Sequence, residues 1–184
     1  ASVNEQVVHG IPNRDVILKE GDIISVDVGA TYKGLVGDAA ITLPVGQISD
    51  ELKKLLSVTE EALYLAIKQV VAGNKLYDTV SAVVEDKAKE HGYGIVRNYG
   101  GHGIGRNMHE EPFVYNFRPG APGPELKSGM AICIEPMFNL GTDEVHTEPD
   151  GWTVVTNDGK PSAHFEHSVL VTDDAPLILT QLPK

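Results

Sequence analysis

The sequence predicts an α+β fold on a mainly antiparallel sheet, and three observations predict it. Two stretches repeat apolar residues at helical spacing. Five runs, "DIISVDVGA", "GLVGDAAITL", "GMAICIEPMF", "GWTVVT" and "AHFEHSVLVT", have the β-branched and apolar character of strands. Turn dipeptides inside "PDGW" and "NDGK" punctuate the later runs as hairpins. At 184 residues the chain fits one domain, 1–184, long enough to bury a core.

In chain order, the front segment "NEQVVHGIP" precedes the first two runs, which read as a hairpin turning at Tyr32-Lys33. A helix then starts at Ser49, with acidic Asp50 and Glu51 in its first turn. Leu52, Leu55, Leu56, Leu63, Ile67 and Val70 carry its apolar stripe as far as Gly73. A second helix runs from an Asp78 cap through Val80, Val83, Val84 and Ala88 to a stop at Gly92. The glycine-rich stretch "GGHGIGRNMHEEP" follows, and then the remaining strands. Helices precede only the later strands. If the fold has two similar halves, the first lacks its helices.

Composition narrows the function classes. No apolar run approaches the ~18 residues of a membrane span, and no charged-then-apolar leader is readable. A net charge of -11 with no basic stripe argues against nucleic acid. The lone Cys133 excludes an internal disulfide and a CxxC zinc site, and suits a reducing compartment such as the cytoplasm.

The acids carry the chemistry. Asp27 and Asp38 each lie inside an apolar, strand-like run, where an unpaired acid is costly. The expected turn places them directly opposite each other on one face, with side-chain roots about 5 Å apart. Like charges that close need a shared proton, a salt bridge or a cation between them. Glu135 in "CIEPM" and Glu166 in "HFEHSV" repeat the anomaly. Four buried acids with a nearby imidazole fit a divalent-metal cluster better than four separate ion pairs. Two ions roughly 3.5–4 Å apart would activate water and polarise a carbonyl, which points to hydrolysis. Cys133, two residues before Glu135, is placed by alternation on the metal-facing side.

With "NEQVVHGIP", "VDVG…GLVGDAA", "GGHGIGRNMHEEP", "GMAICIEPMF", "DGWTV" and "FEHSVLVT" in order, the chain resembles the type I methionine aminopeptidases. These have the pita-bread fold, a curved antiparallel sheet covered by helices in two pseudo-symmetric halves. The resemblance implies two divalent ions (Mn, Co, Fe or Zn) held by Asp27, Asp38, His102, Glu135 and Glu166. Asp27 would chelate one ion, His102 and Glu135 the other, and Asp38 and Glu166 both.

It further implies removal of N-terminal methionine by attack of a metal-bridging hydroxide, with Glu135 as proton shuttle. His109 would stabilise the oxyanion, His9 would contact substrate near the scissile amide, and Trp152 and Met108 would line the methionine pocket. The glycines around His102 would let backbone approach the metals and substrate. His91, His146, His164 and His167 have no such context and read as structural or surface residues. The implied partners are N-terminal Met peptides and nascent chains at the ribosome, with no nucleic acid and no membrane, for a monomer.

Members of that family carry a further segment ahead of "SVNE", so the first half reads as truncated. Two rivals stand beside this reading. Proline-directed peptidases of the same fold share the five ligands, but "HGIP", "DGWTV" and "FEHSVLVT" favour the methionine enzymes. A non-catalytic binding relative would have lost ligands, and here all five are present.

Overall fold

A computed structural model describes residues 1–181. Two short strands, β1 (Ser2–Val3) and β2 (Gln6–Val8), lead into the long hairpin of β3 (Ile23–Tyr32) and β4 (Leu35–Pro44). The hairpin turns at Lys33-Gly34, one residue later than the sequence suggests. Both turn residues take positive φ, 49° and 79°, as a type I′ turn requires, and Gly34 does so without a Cβ penalty. The register moves with the turn. Asp27 pairs with Ala40 and Asp38 with Gly29, so the aspartates are diagonal neighbours and not directly opposite.

Helix α1 (Asp50–Ile67) starts where expected: the Ser49 hydroxyl accepts from the Leu52 N–H at 3.2 Å. It ends at Ile67, short of Gly73. Val70 belongs to the core but sits in the turn that follows, bonded back to the Ile67 carbonyl. Asp78 is not a cap. It lies within a π-helical turn, Tyr77–Ser81, that continues directly into α2 (Ala82–His91) and leaves no free helix start there to cap. Gly92, at φ 71°, closes α2 as expected.

After α2 come β5 (Gly94–Ile95), β6 (Gly101–Gly103) and β7 (Glu110–Val114). Two of the expected strands then break in two. "GMAICIEPMF" splits at Glu135-Pro136 into β8 (Ala131–Ile134) and β9 (Met137–Asn139), where proline has no N–H to give a ladder. β10 (Val145–Thr147) and β11 (Val154–Thr156) form the hairpin around "PDGW". "AHFEHSVLVT" splits at Phe165 into β12 (Ser162–His164) and β13 (Glu166–Leu170), and β14 (Leu177–Ile178) closes on β13. The "NDGK" turn forms no hairpin: it joins β11 and β12, which lie in different sheets.

The main sheet runs β1-β3-β4-β13-β8-β6-β7, antiparallel throughout. Small sheets β12-β9-β5 and β10-β11-β2 pack beside it. Glu135 and Glu166 therefore stand at two of the three points where the chain passes directly between the main sheet and the β12-β9-β5 sheet.

Pairing fixes two faces. One carries Val28, Ile41 and Leu43 on the first hairpin and Ile132, Ile134, His167 and Val169 further along. Helix α1 packs on the later part of this face, and Leu55, Leu63, Phe138 and Ile132 are fully buried there. The hairpin part is bare: Val28, Tyr32, Leu35, Ile41 and Leu43 stay exposed. The other face carries Ser25, Asp27, Asp38, Thr42, Ser168, Cys133 and Glu166, and it holds the polar site.

Candidate metal centre

Register alone gathers the acids. Asp27, Ala40 and Glu166 form one row across β3, β4 and β13. The next row is Gly29 and Asp38, then Ser168 opposite Cys133 on β8. Ser168 ties β13 to β4: its hydroxyl donates to the Asp38 carbonyl at 2.8 Å and accepts from the Asp38 N–H at 3.0 Å. Small Ala40 separates Asp27 from Glu166 in the first row, and Gly29 in the second leaves room for the Met108 side chain beside Asp38.

β6 adds His102. Its glycines serve strand packing, which the sequence reading assigned to metal and substrate approach. A Cβ at Gly101 would collide with the Cys133 carbonyl oxygen, and one at Gly103 with that of Glu111. That closeness brings His102 over the acids. Its Nδ1–H donates to the Gly103 carbonyl at 2.9 Å, which leaves Nε2 as a bare lone pair. That nitrogen faces Glu135 Oε1 at 3.8 Å and Asp38 Oδ2 at 4.0 Å. Both separations are under twice a metal–ligand bond of about 2.1 Å, as two ligands of one ion require.

The electrostatics ask for a cation. Glu166 is 2% exposed and Asp38 8%. Burial first, and then Glu135, Asp38 and Asp27 around it, push Glu166 well above the carboxylate range. Burial and Asp27 raise Asp38, against the pull of His102. Asp38 Oδ1 and Glu166 Oε1 are buried with no hydrogen-bond partner among the described residues, an omission that folded proteins usually fill with water or an ion. One of the four acids is less enclosed than expected: Asp27 opens to solvent, whereas the Glu135 side chain is only 12% exposed. The donor set fits one or more divalent cations.

A cleft of about 620 Å³ opens onto this cluster. His9 follows β2, and the Val8–Val154 pair of β2 and β11 sets it beside Trp152. The two rings stack at 4.8 Å, with Tyr99 edge-on to His9 at 5.7 Å. His9 holds φ 62°, a left-handed backbone unusual outside glycine. Burial keeps its imidazole below the ordinary range, against the pull of Asp27 and Glu135. The His109 ring lies 4.4 Å from that of His102, also on the cleft wall. Met108 does not line the cleft: its side chain folds over Gly29.

Three residues of the site escaped the sequence reading. Tyr99 and Phe113 wall the cleft, Phe113 as the register partner of His102. His164, read as structural, is 1% exposed, and its Nε2 lies 3.4 Å from Glu135 Oε2 without a formal hydrogen bond. The alternation that paired Cys133 with Glu135 would have paired His164 with Glu166. His91, His146 and His167 fit their structural or surface reading. His91 stacks on Tyr93, His146 bonds Asn157 at 2.7 Å, and His167 bonds Thr180 and Tyr64 on the opposite face from Glu166.

Comparison with known proteins agrees with this geometry. Over 183 residues the chain is 48% identical to a methionine aminopeptidase of Aquifex aeolicus, spanning 98% of this chain and 70% of that protein. The crystal structure of a methionine aminopeptidase from Thermotoga maritima superposes with a TM-score of 0.95 at 47% identity, over 98% of this chain and 72% of that one. An Xaa-Pro dipeptidase from Bacillus anthracis superposes less well, with a TM-score of 0.77 at 26% identity, over all of this chain and 46% of that one. The curved antiparallel sheet is thus the pita-bread fold. Residues 1–173 match metallopeptidase family M24, and the chain belongs to that family.

Proposed function

We propose that this chain is a methionyl aminopeptidase that removes the N-terminal methionine of peptides and nascent chains in the cytoplasm, using two divalent ions. The carrying observation is the gathering of Asp38, His102, Glu135 and Glu166 at the floor of a cleft walled by His9, His109 and Trp152. The likeness to methionine aminopeptidases at 48% identity supports the same reading. It also favours that substrate over X-Pro peptides, since the Xaa-Pro dipeptidase stands at 26%.

Asp38, Glu166, His102, Glu135 and Asp27 would hold the ions, with Asp38 and Glu166 shared, His102 and Glu135 serving one and Asp27 the other. Bound there, the ions supply Lewis-acid activation of water and polarisation of the scissile carbonyl. Manganese, cobalt, iron and zinc all suit these donors. Glu135, largely buried beside His102, takes the proton from the attacking water and returns it to the leaving amine. His109 donates to the oxygen on which negative charge develops. His9 contacts the scissile amide from the opposite wall, and its depressed basicity keeps it neutral near pH 7. Exposed Asp27 receives the substrate's free α-amine, which limits cleavage to the first residue. Trp152, Tyr99 and Phe113 enclose an apolar side chain of methionine's size.

The test is release of free methionine from a Met-Gly peptide by chelator-stripped protein resupplied with Mn(II) or Co(II). Release is expected to depend on the metal, to fall about 10²–10⁴-fold or more in Glu135→Ala, and to be absent on an X-Pro peptide. Cleavage of X-Pro in preference to Met-Gly would overturn the substrate assignment.

A further inference from the structure

Cys133 is a buried nucleophile at the site that the proposed reaction leaves unused. It is fully buried on β8, facing Ser168 with its Sγ 3.5 Å from the hydroxyl. It is also part of a compact donor group beneath the cleft. One donor atom from each of Asp38, His102, Cys133 and Glu166 lies within 4.8 Å of all the others, and all four residues are buried. An independent observation points to a ion among them. Asp38 Oδ1 and Glu166 Oε1, both more than nine-tenths buried, have no partner.

The five acid and imidazole residues alone make a hard-to-borderline set that suits manganese as well as zinc. Sulfur changes that balance. Two carboxylate oxygens, one imidazole nitrogen and one sulfur form a four-donor set of the kind that zinc, cobalt and cadmium prefer and that manganese and magnesium do not. We propose that Cys133 is a sixth donor of this centre, coordinating thiophilic divalent ions together with Asp38, His102 and Glu166 and biasing the site toward them. The inference rests on reading the cluster as a metal centre. On coordination the S–H bond breaks, its proton passes to bulk water, and a sulfur–metal bond forms without any change of oxidation state.

The experiment titrates the full, chelator-stripped chain with Co(II), following visible ligand-field bands and the near-ultraviolet thiolate-to-cobalt charge-transfer band. Cd(II) and Mn(II) affinities are measured in parallel on wild type and Cys133→Ser. Both cobalt features are expected to saturate together in wild type, with the charge-transfer band lost in Cys133→Ser. Cadmium affinity should drop about tenfold or more in that variant, the scale on which a lost ligand-shell partner acts, while manganese affinity holds.

Ligand-field bands without a thiolate band in wild type would sink the proposal and leave the metal centre standing. No cobalt uptake at all would sink both. Should Cys133→Ser fail to fold by circular dichroism, X-ray absorption on the wild-type cobalt form decides. A sulfur scatterer at about 2.3 Å supports the assignment, and an all-oxygen and nitrogen shell rejects it.

Discussion

His9 holds two properties in one residue that substitution can separate. Its φ of 62° is a backbone cost, and its ring packs on Trp152 in the cleft. Left-handed backbone costs a residue with a Cβ about 1 kcal/mol relative to glycine. His9→Gly should therefore be more stable than His9→Ala by about 1 kcal/mol in urea unfolding, while both lose methionine release about 10²-fold or more. Equal stability of the two variants would remove the strain argument, and retained activity would remove the substrate role. Local sequence exposed the ligands because an acid in an apolar run is anomalous whatever the register. It left His164 unassigned, although alternation sets it on the side of Glu166, because its approach to Glu135 belongs to the tertiary structure. It could not show that Met108 lies over Gly29, because that packing belongs to the tertiary structure.

At the scale of elements, what was legible depended on how local the signal was. The Ser49 cap and the Gly92 stop act within one turn of chain and were readable. The Lys33-Gly34 turn was misread by one residue, because apolar patterning fixes the face of a strand and only turn chemistry fixes the register. The π-helical entry to α2 has no simple sequence signature, so Asp78 took the role of a cap it does not fill.

α2 is also held from outside. Arg118 reaches Glu85 at 2.8 Å and Asp86 at 2.6 Å, and Lys89 adds a further contact to Glu85 at 2.9 Å. Burial opposes ionisation of Glu85, but Lys89 and Arg118 outweigh it and set its pKa below the ordinary value. Asp86 is lowered chiefly by Arg118. Carboxylates with depressed folded pKa values stabilise above their unfolded values, 4.5 and 3.8, and lose that contribution as pH falls through the folded ones. Arg118→Met should therefore cost roughly 1–2 kcal/mol at neutral pH, mostly through buried Glu85. The gap from wild type should close below pH about 3. A gap that persists in acid would mean Arg118 acts by packing alone.

For the whole molecule, the two faces of the sheet have opposite energetics. The apolar face beneath α1 contributes to folding, while the polar face gathers like charges that oppose it. Glu166 has a raised folded pKa, caused first by burial and then by Glu135, Asp38 and Asp27. A carboxylate raised in the folded state is destabilising above its folded pKa, and the penalty vanishes as pH falls below the unfolded value, 4.5. This is the reverse of the Glu85 case. Metal-free protein should thus gain stability as pH is lowered from about 7.5 toward about 5.5, before the surface carboxylates begin to lose their contributions.

Glu166→Gln removes the buried charge and should raise the metal-free protein by about 1–3 kcal/mol at neutral pH, flattening its pH profile. The same change deletes a ligand. Wild type should gain about 2.7 kcal/mol from Mn(II) at a hundred times its dissociation constant, or about 5–11 °C in melting temperature for a chain of this size. The variant should gain little. Melting curves for the two proteins, each with chelator and with metal, contain the whole comparison. If metal-free Glu166→Gln were no more stable than wild type, the cluster would not be a cost carried for its ligand. If both gained equally from metal, Glu166 would not be holding it.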